Sequence, residues 1–132
     1  MGTRDELNNL VLAAKEGSTI TLDKDYDFLG AVKPIEITKS IVIDGKGHTI
    51  TLGYNNAFNL KYVSSIRKIE IKNINGELNA KATGQSSFML KADSKTEFSY
   101  LNIRLKFNPD DDVMLFKQAH LEFEFKKIKK SL

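Results

Sequence analysis

The chain has 132 residues, 41% of them apolar and 28% charged, a balance that fits a single domain with a real core. It has no cysteine, which excludes disulfides, thiolate metal sites and cysteine nucleophiles. The net charge of +3 is uneven: residues 1–60 hold 6 Lys/Arg against 8 Asp/Glu, and residues 61–132 hold 14 against 9. No apolar run is long enough to insert in a membrane, and "MGTRDELNNL" contains no signal peptide. The lysines of "FKKIKKSL" are read as a solvated, solubilising end. No nucleic-acid partner is expected.

The first element is a helix over 4–16. Thr3 and Glu6 form a Thr-x-x-Glu capping pattern, Leu7, Leu10, Val11 and Ala14 fall on one face, and Gly17 is placed to end it. Burial of Leu7, Leu10 and Val11 is expected. After Gly17 no helical period is sustained. Short alternating runs follow: Thr19–Leu22, Ile35–Ile37, Ile41–Ile43, His48–Leu52, Phe58–Leu60, Ile69–Ile71, Phe88–Leu90, Phe98–Leu105, Val113–Phe116 and Leu121–Phe125. Gly, Asn, Asp and Ser separate them.

Within "IEITKSIVIDGKGHTITL", Ile35, Ile37, Ile41, Ile43, Ile50 and Leu52 are expected to face a core, and Glu36, Lys39, Lys46 and Thr51 to face out. Asp44-Gly45 and Lys46-Gly47 supply the turn, since glycine reaches positive φ without strain. His48 is assigned a structural place just after it.

An internal repeat organises the rest. "FNLK" (58–61), "FMLK" (88–91) and "MLFK" (114–117) share one pattern. Each precedes a second strand, in turn "IEIKNI" (69–74), "FSYLNI" (98–103) and "FEFKKI" (123–128). Recurrent strand pairs at uneven spacing suit a solenoid with variable loops better than a Greek-key sandwich. The expectation is an all-β, right-handed parallel β-helix of about four to five coils, with residues 1–17 as an N-terminal capping α-helix and 18–132 as coils. Phe58, Phe88 and Met114 would stack in one inward column, and Leu60, Leu90 and Phe116 in a second.

The run "GSTITLDKDYDF…IEITKSIVIDGKGHTI…AFNLKYVSSIRKIEIKNI" resembles the opening coils of adhesin-like surface proteins of methanogenic archaea, which are pectate-lyase-like right-handed parallel β-helices. The likeness covers roughly residues 7–78, and "SIVIDGKGHTI" is its most specific element. It implies an extracellular or cell-surface, non-catalytic adhesion module contacting a glycan or another surface ligand. It also implies a short member of that family or the N-terminal piece of a longer solenoid.

Related folds host polysaccharide lyases and glycoside hydrolases, so an enzyme or an inactive relative is the alternative, and a purely structural fragment a further one. The outward acids are read as Glu36, Asp44, Glu70, Glu77, Asp93, Glu97, Glu122 and Glu124. The repeat sets Glu70 opposite Ser99 and Glu124, with the two glutamates roughly 10 Å apart, at the edge of what an inverting pair allows. No catalytic residue, cofactor or metal site is therefore assigned. "NPDDD" lacks the alternating spacing of a calcium loop and reads as a polar loop. The same repeat places Lys61, Lys91 and Lys117 in one outward column, read either as a solvated rim or as a cationic groove for an acidic glycan. The aromatics Phe58, Phe88, Phe98, Tyr100, Phe116, Phe123 and Phe125 are read as core first. No pattern covers the C-terminal strand, so end-to-end self-association is expected there, held back by Lys126, Lys127, Lys129 and Lys130 until salt screens them.

Overall fold

A computed structural model describes residues 1–31, 33–52, 57–61, 68–78, 90–92, 97–107, 121–122 and 128–130. The described chain is mostly strand, with one short helix, α1 (Arg4–Ala13). The strands are β1 (Gly2–Thr3), β2 (Thr19–Thr21), β3 (Tyr26–Asp27), β4 (Ile35–Ile37), β5 (Val42–Asp44), β6 (Thr49–Thr51) and β7 (Phe58–Leu60). There follow β8 (Lys68–Leu78), β9 (Leu90–Ala92), β10 (Glu97–Phe107), β11 (Leu121–Glu122) and β12 (Ile128–Lys130).

The strands fall into two sheets, and every ladder among the described residues is parallel. The smaller sheet has the order β11-β9-β7-β4. The larger follows β1-β3-β6-β8-β10-β12, with β2 joined through β5 to β8. From β4 onward the chain passes back and forth between the sheets, with β5 and β6 together making one passage through the larger, and each strand registers with one laid down roughly 23 to 32 residues later. Ile20 pairs with Ile43, Ile35 with Phe58, Ile69 with Phe98 and Phe98 with Ile128. Parallel neighbours need such long connections, because a tight hairpin reverses direction.

Alternation decides the core. In "IEI" the two isoleucines are buried and Glu36 is exposed, since successive side chains leave opposite faces of a strand. Ile35, Ile37, Ile43, Ile50, Leu52, Phe58, Ile69, Ile71 and Leu90 are all fully enclosed. Burying each such side chain contributes about 1.5–3 kcal/mol. Phe28 and Phe58 meet with ring centroids 6.4 Å apart, a tilted aromatic contact.

α1 begins as the sequence indicates: the Thr3 hydroxyl accepts the Glu6 N–H at 3.2 Å. It ends at Ala13 rather than at residue 16, because Ala14 turns extended (φ −69°, ψ 139°). Its last carbonyls are met from outside, by the Lys39 ammonium on Leu12 and Ala14. Gly17, with φ +82°, belongs to the turn beyond. The buried face carries Arg4, Leu7 and Val11. Leu10, expected inside, is 44% exposed. At about 100° per residue, Arg4, Leu7, Val11 and Ala14 centre a stripe that leaves Leu10 on its flank.

The strand repeat is correct in kind but shifted in register. Phe58 pairs with Leu90 and Leu60 with Ala92, so Phe88 is not the partner of Phe58. A two-residue slip preserves which side chains face inward, so alternation alone does not exclude it. The next strand of the smaller sheet pairs Leu121 with Leu90, not a residue of 114–117. In the larger sheet Ile69, Ile71 and Ile74 meet Phe98, Tyr100 and Ile103 as the repeat implies. The following return aligns Ile128, not Phe123, with Phe98. Its 30-residue length matches the 29 of the return before it, whereas the motif match forced about 25. Phe88, Met114, Phe116, Phe123 and Phe125 lie outside the described residues.

Candidate functional site

The larger sheet bends where β5 gives way to β6. Both strands pair with β8, through Asp44–Lys72 on one side and Thr49–Asn75 on the other. Four residues, Gly45 to His48, join the pair in the first strand set, whereas only Asn73 and Ile74 intervene in β8. In β10 the matching residues are again two, Asn102 and Ile103. The first joint is therefore two residues longer than the others.

Each joint is built by residues that accept unusual backbone. Lys46 (φ 52°) and Gly47 (φ 82°) turn the first. Gly45 lies against the next strand, its N–H donating to the Lys72 carbonyl at 2.8 Å, and a Cβ there would come within 2.5 Å of the Asn73 carbonyl oxygen. Asn73 (φ 57°) and Asn102 (φ 53°) turn the other two with a single left-handed residue each. Asparagine is among the few side chains that tolerate this region.

The three joints are stitched by side chains. Asn73 Nδ2 donates to Asp44 Oδ1 at 3.0 Å, and Asn102 Nδ2 donates to Asn73 Oδ1 at 3.1 Å. Asp44 also accepts the Lys46 N–H at 3.0 Å, and Lys46 Nζ lies 3.6 Å from its second oxygen. The Asn73 amide, with help from the Lys46 N–H and the nearby ammonium groups, holds the Asp44 carboxyl below its ordinary value despite burial. Asn75 Nδ2 donates to the Gly47 carbonyl at 2.8 Å.

At these joints lies an open recess of about 400 Å³, lined by Lys46, Gly47, Asn73, Asn75 and Asn102. Its lining offers amide donors and acceptors, one exposed ammonium and a glycine backbone. Each amide has two N–H groups and an oxygen with two lone pairs, so the internal ladder leaves capacity unspent. Such a surface can hold a ligand rich in hydroxyl groups. Among the described residues, no carboxylate pair lines it.

His48 Nδ1 lies 3.1 Å from Asp25 Oδ1, and the same oxygen accepts the Thr49 N–H at 2.8 Å. The backbone donor first, and the imidazole second, lower the Asp25 carboxyl. This is a stitch between neighbouring strands.

The residues singled out from sequence do not gather. Lys91 registers with Asn59, not with Lys61, so these two do not share a column, and Lys117 lies outside the described residues. Lys61 lies 3.0 Å from Glu36 across the smaller sheet. The two-residue slip separates it from Lys91. Asp44, expected to face out, is 8% exposed and faces Asn73. Glu70 does meet Ser99, whose hydroxyl donates to it at 3.3 Å, but the next residue in that column is Lys129 rather than Glu124. Among the described residues no three His, Asp or Glu side chains converge on a metal-sized site. The recess was missed, though a signal was present: "IEIKNI" and "FSYLNI" both place Asn before the final Ile.

No family model, curated protein or solved structure matches the chain.

Proposed function

We propose that the chain is a right-handed parallel β-helix serving as a non-catalytic surface or adhesion module, and that the amide-lined recess is where it contacts carbohydrate. The all-parallel ladders and the regular alternation between two sheets support the architecture. The right hand is the one that most connections between parallel strands take, which supports that choice of hand. The surface location and adhesive role rest on the likeness of residues 7–78 to archaeal adhesin-like proteins.

The observation carrying the ligand reading is the convergence of Asn73, Asn75 and Asn102 with Lys46 on one open recess. Amides match vicinal hydroxyls as donor and acceptor at once. The recess is open to solvent, so modest affinity in roughly the micromolar to millimolar range is expected. A glycan-array screen followed by NMR titration with the best oligosaccharide tests it. Asn75→Ala and Asn102→Ala should each weaken binding several-fold without unfolding the protein. Binding that survives both changes, or no binding across the array, removes the reading.

A further inference from the structure

A second cleft lies where the start of α1 meets the end of β3 and the turn that follows. Its volume is about 340 Å³, and Thr3, Arg4, Asp27, Gly30 and Lys33 contribute to its lining. Arg4 is the unusual member. It sits on the buried stripe of α1 beside Leu7 and Val11, and is 8% exposed. A guanidinium has five N–H donors and keeps its charge at any ordinary pH. One terminal nitrogen of Arg4 donates to Asp5 Oδ1 at 3.0 Å and the other to the Pro34 carbonyl at 2.8 Å. Nε is enclosed and has no hydrogen-bond partner among the described residues.

The charge is as poorly matched as the donors. The Asp5 side chain is 85% exposed, where water screens it. Asp27 uses Oδ1 on the Leu29 N–H at 2.8 Å. A buried cation with unspent donors is costly, and an apolar side chain would complete the stripe at less cost. Lys33, exposed, adds a second cation to the cleft.

We infer that this cleft binds a small carboxylate, held by the Arg4 guanidinium with Lys33 as the second cation. Each terminal nitrogen of Arg4 keeps one N–H beyond those given to Asp5 and Pro34, and a carboxylate can accept these as charge-assisted hydrogen bonds. Asp5 and Asp27 also line the cleft, so it favours one negative charge over the two of phosphate. The carboxylate has two chemical sources, a free hydroxy acid or a uronic acid unit carried on a sugar.

The test is calorimetry and thermal-shift measurement on the full chain with lactate, glucuronate, glucose and inorganic phosphate. Binding of lactate and glucuronate, but not glucose, is expected. Glucuronate alone would assign the sugar-borne acid. Phosphate binding tighter than either carboxylate would overturn the inference, as would silence from both carboxylates. Arg4→Met should keep or raise the melting temperature and abolish the response. Lys33→Ala should weaken binding about tenfold with the melting temperature unchanged. If both variants respond like the parent chain, the cleft is not the site. Asn75→Ala should leave this binding intact, so failure here and failure of the recess are separate results.

Discussion

Residues 2–52 and residues 68–107 contribute to the same parallel ladders with different joints. In the first region the larger sheet is laid down in pieces of two or three residues, β2 and β3, then β5 and β6, separated by joints rich in glycine and charge. In the second it is laid down as two eleven-residue strands, each turned by one left-handed asparagine. The ladder stays in register across both because the short strands β5 and β6 together span β8. What differs is the number of residues spent at the joint. The recess is lined by residues of these unequal joints, four residues against two, so the joints shape a feature of the surface.

The first way to break this contrast is at Gly45, which allows the long joint to lie against the short one. Gly45→Ala drives a methyl group into the Ile74 side chain and the Asn73 carbonyl, and the carbonyl, being backbone, cannot yield cheaply. We expect a loss of about 3 kcal/mol in chemical denaturation. Gly47→Ala meets open space and carries only the cost of its positive φ, about 1–2 kcal/mol. Equal losses at the two glycines would mean that close approach does not distinguish them.

The second compares the two asparagines. Asn73 lies in the middle of the side-chain ladder and Asn102 at its described end. Asn73→Ala removes the donor to a buried carboxylate and leaves alanine in a left-handed conformation, which should cost about 2 kcal/mol. Asn102→Ala should cost about half as much, near 1 kcal/mol, since no buried charge loses its partner. Asn73→Gly separates the terms by relieving the backbone while still orphaning Asp44. Urea midpoints of the three variants should rank parent, Asn102→Ala, Asn73→Gly, Asn73→Ala.

The sequence made one of these regions easier to read than the other. In 35–52 the alternation of isoleucine with polar residues marks every buried apolar side chain, though not the buried Asp44, and Thr3 with Glu6 marks the helix start. The pairing of Ile69 and Ile71 with Phe98 and Tyr100 was also legible, because the strands are long and carry the same spacing to a final isoleucine. Short strands gave no such anchor. "FNLK" fits "FMLK" as well in one register as two residues along, and the slip parts Lys61 from Lys91. Leu10 illustrates a related limit: hydrophobic spacing admits it to the stripe, but the helix rotates to bury Arg4 instead. The recess stayed hidden because its chemistry comes from unequal joint lengths in strands far apart in sequence. Its asparagines look like ordinary strand breakers until the register is known.

Acid provides a third probe, on the residue that connects the two regions. Asp44 has its carboxyl lowered below the ordinary 3.8, chiefly by the Asn73 amide. A group depressed on folding stabilises at pH above its unfolded value, and that contribution is lost as pH falls through the folded value. Asp25, lowered first by the Thr49 N–H, acts in the same direction. The melting temperature should therefore decline as pH drops below about 4. Asp44→Asn should start lower at neutral pH and decline less steeply. An unchanged acid slope in that variant would show that the ladder gains nothing from the charge of Asp44.

The smallest effect is expected on the helix that covers only the first region. α1 makes its main contacts with β1, β3 and β4, and it does so through Arg4, Leu7 and Val11. Leu10 is 44% exposed, so Leu10→Asp places the new carboxylate in water rather than in an apolar contact. What remains is lost helix propensity, a few tenths of a kcal/mol, and an acid near the negative end of a ten-residue helix, worth a similar amount. The total should stay below about 1 kcal/mol. The same change at Leu7, which is fully enclosed, would bury the charge and should unfold the helix from the sheets. Melting curves of the two variants side by side are decisive. A Leu10→Asp loss as large as that of Leu7→Asp would mean that Leu10 is buried in solution, by a different rotation of α1 or by contact with another copy of the chain.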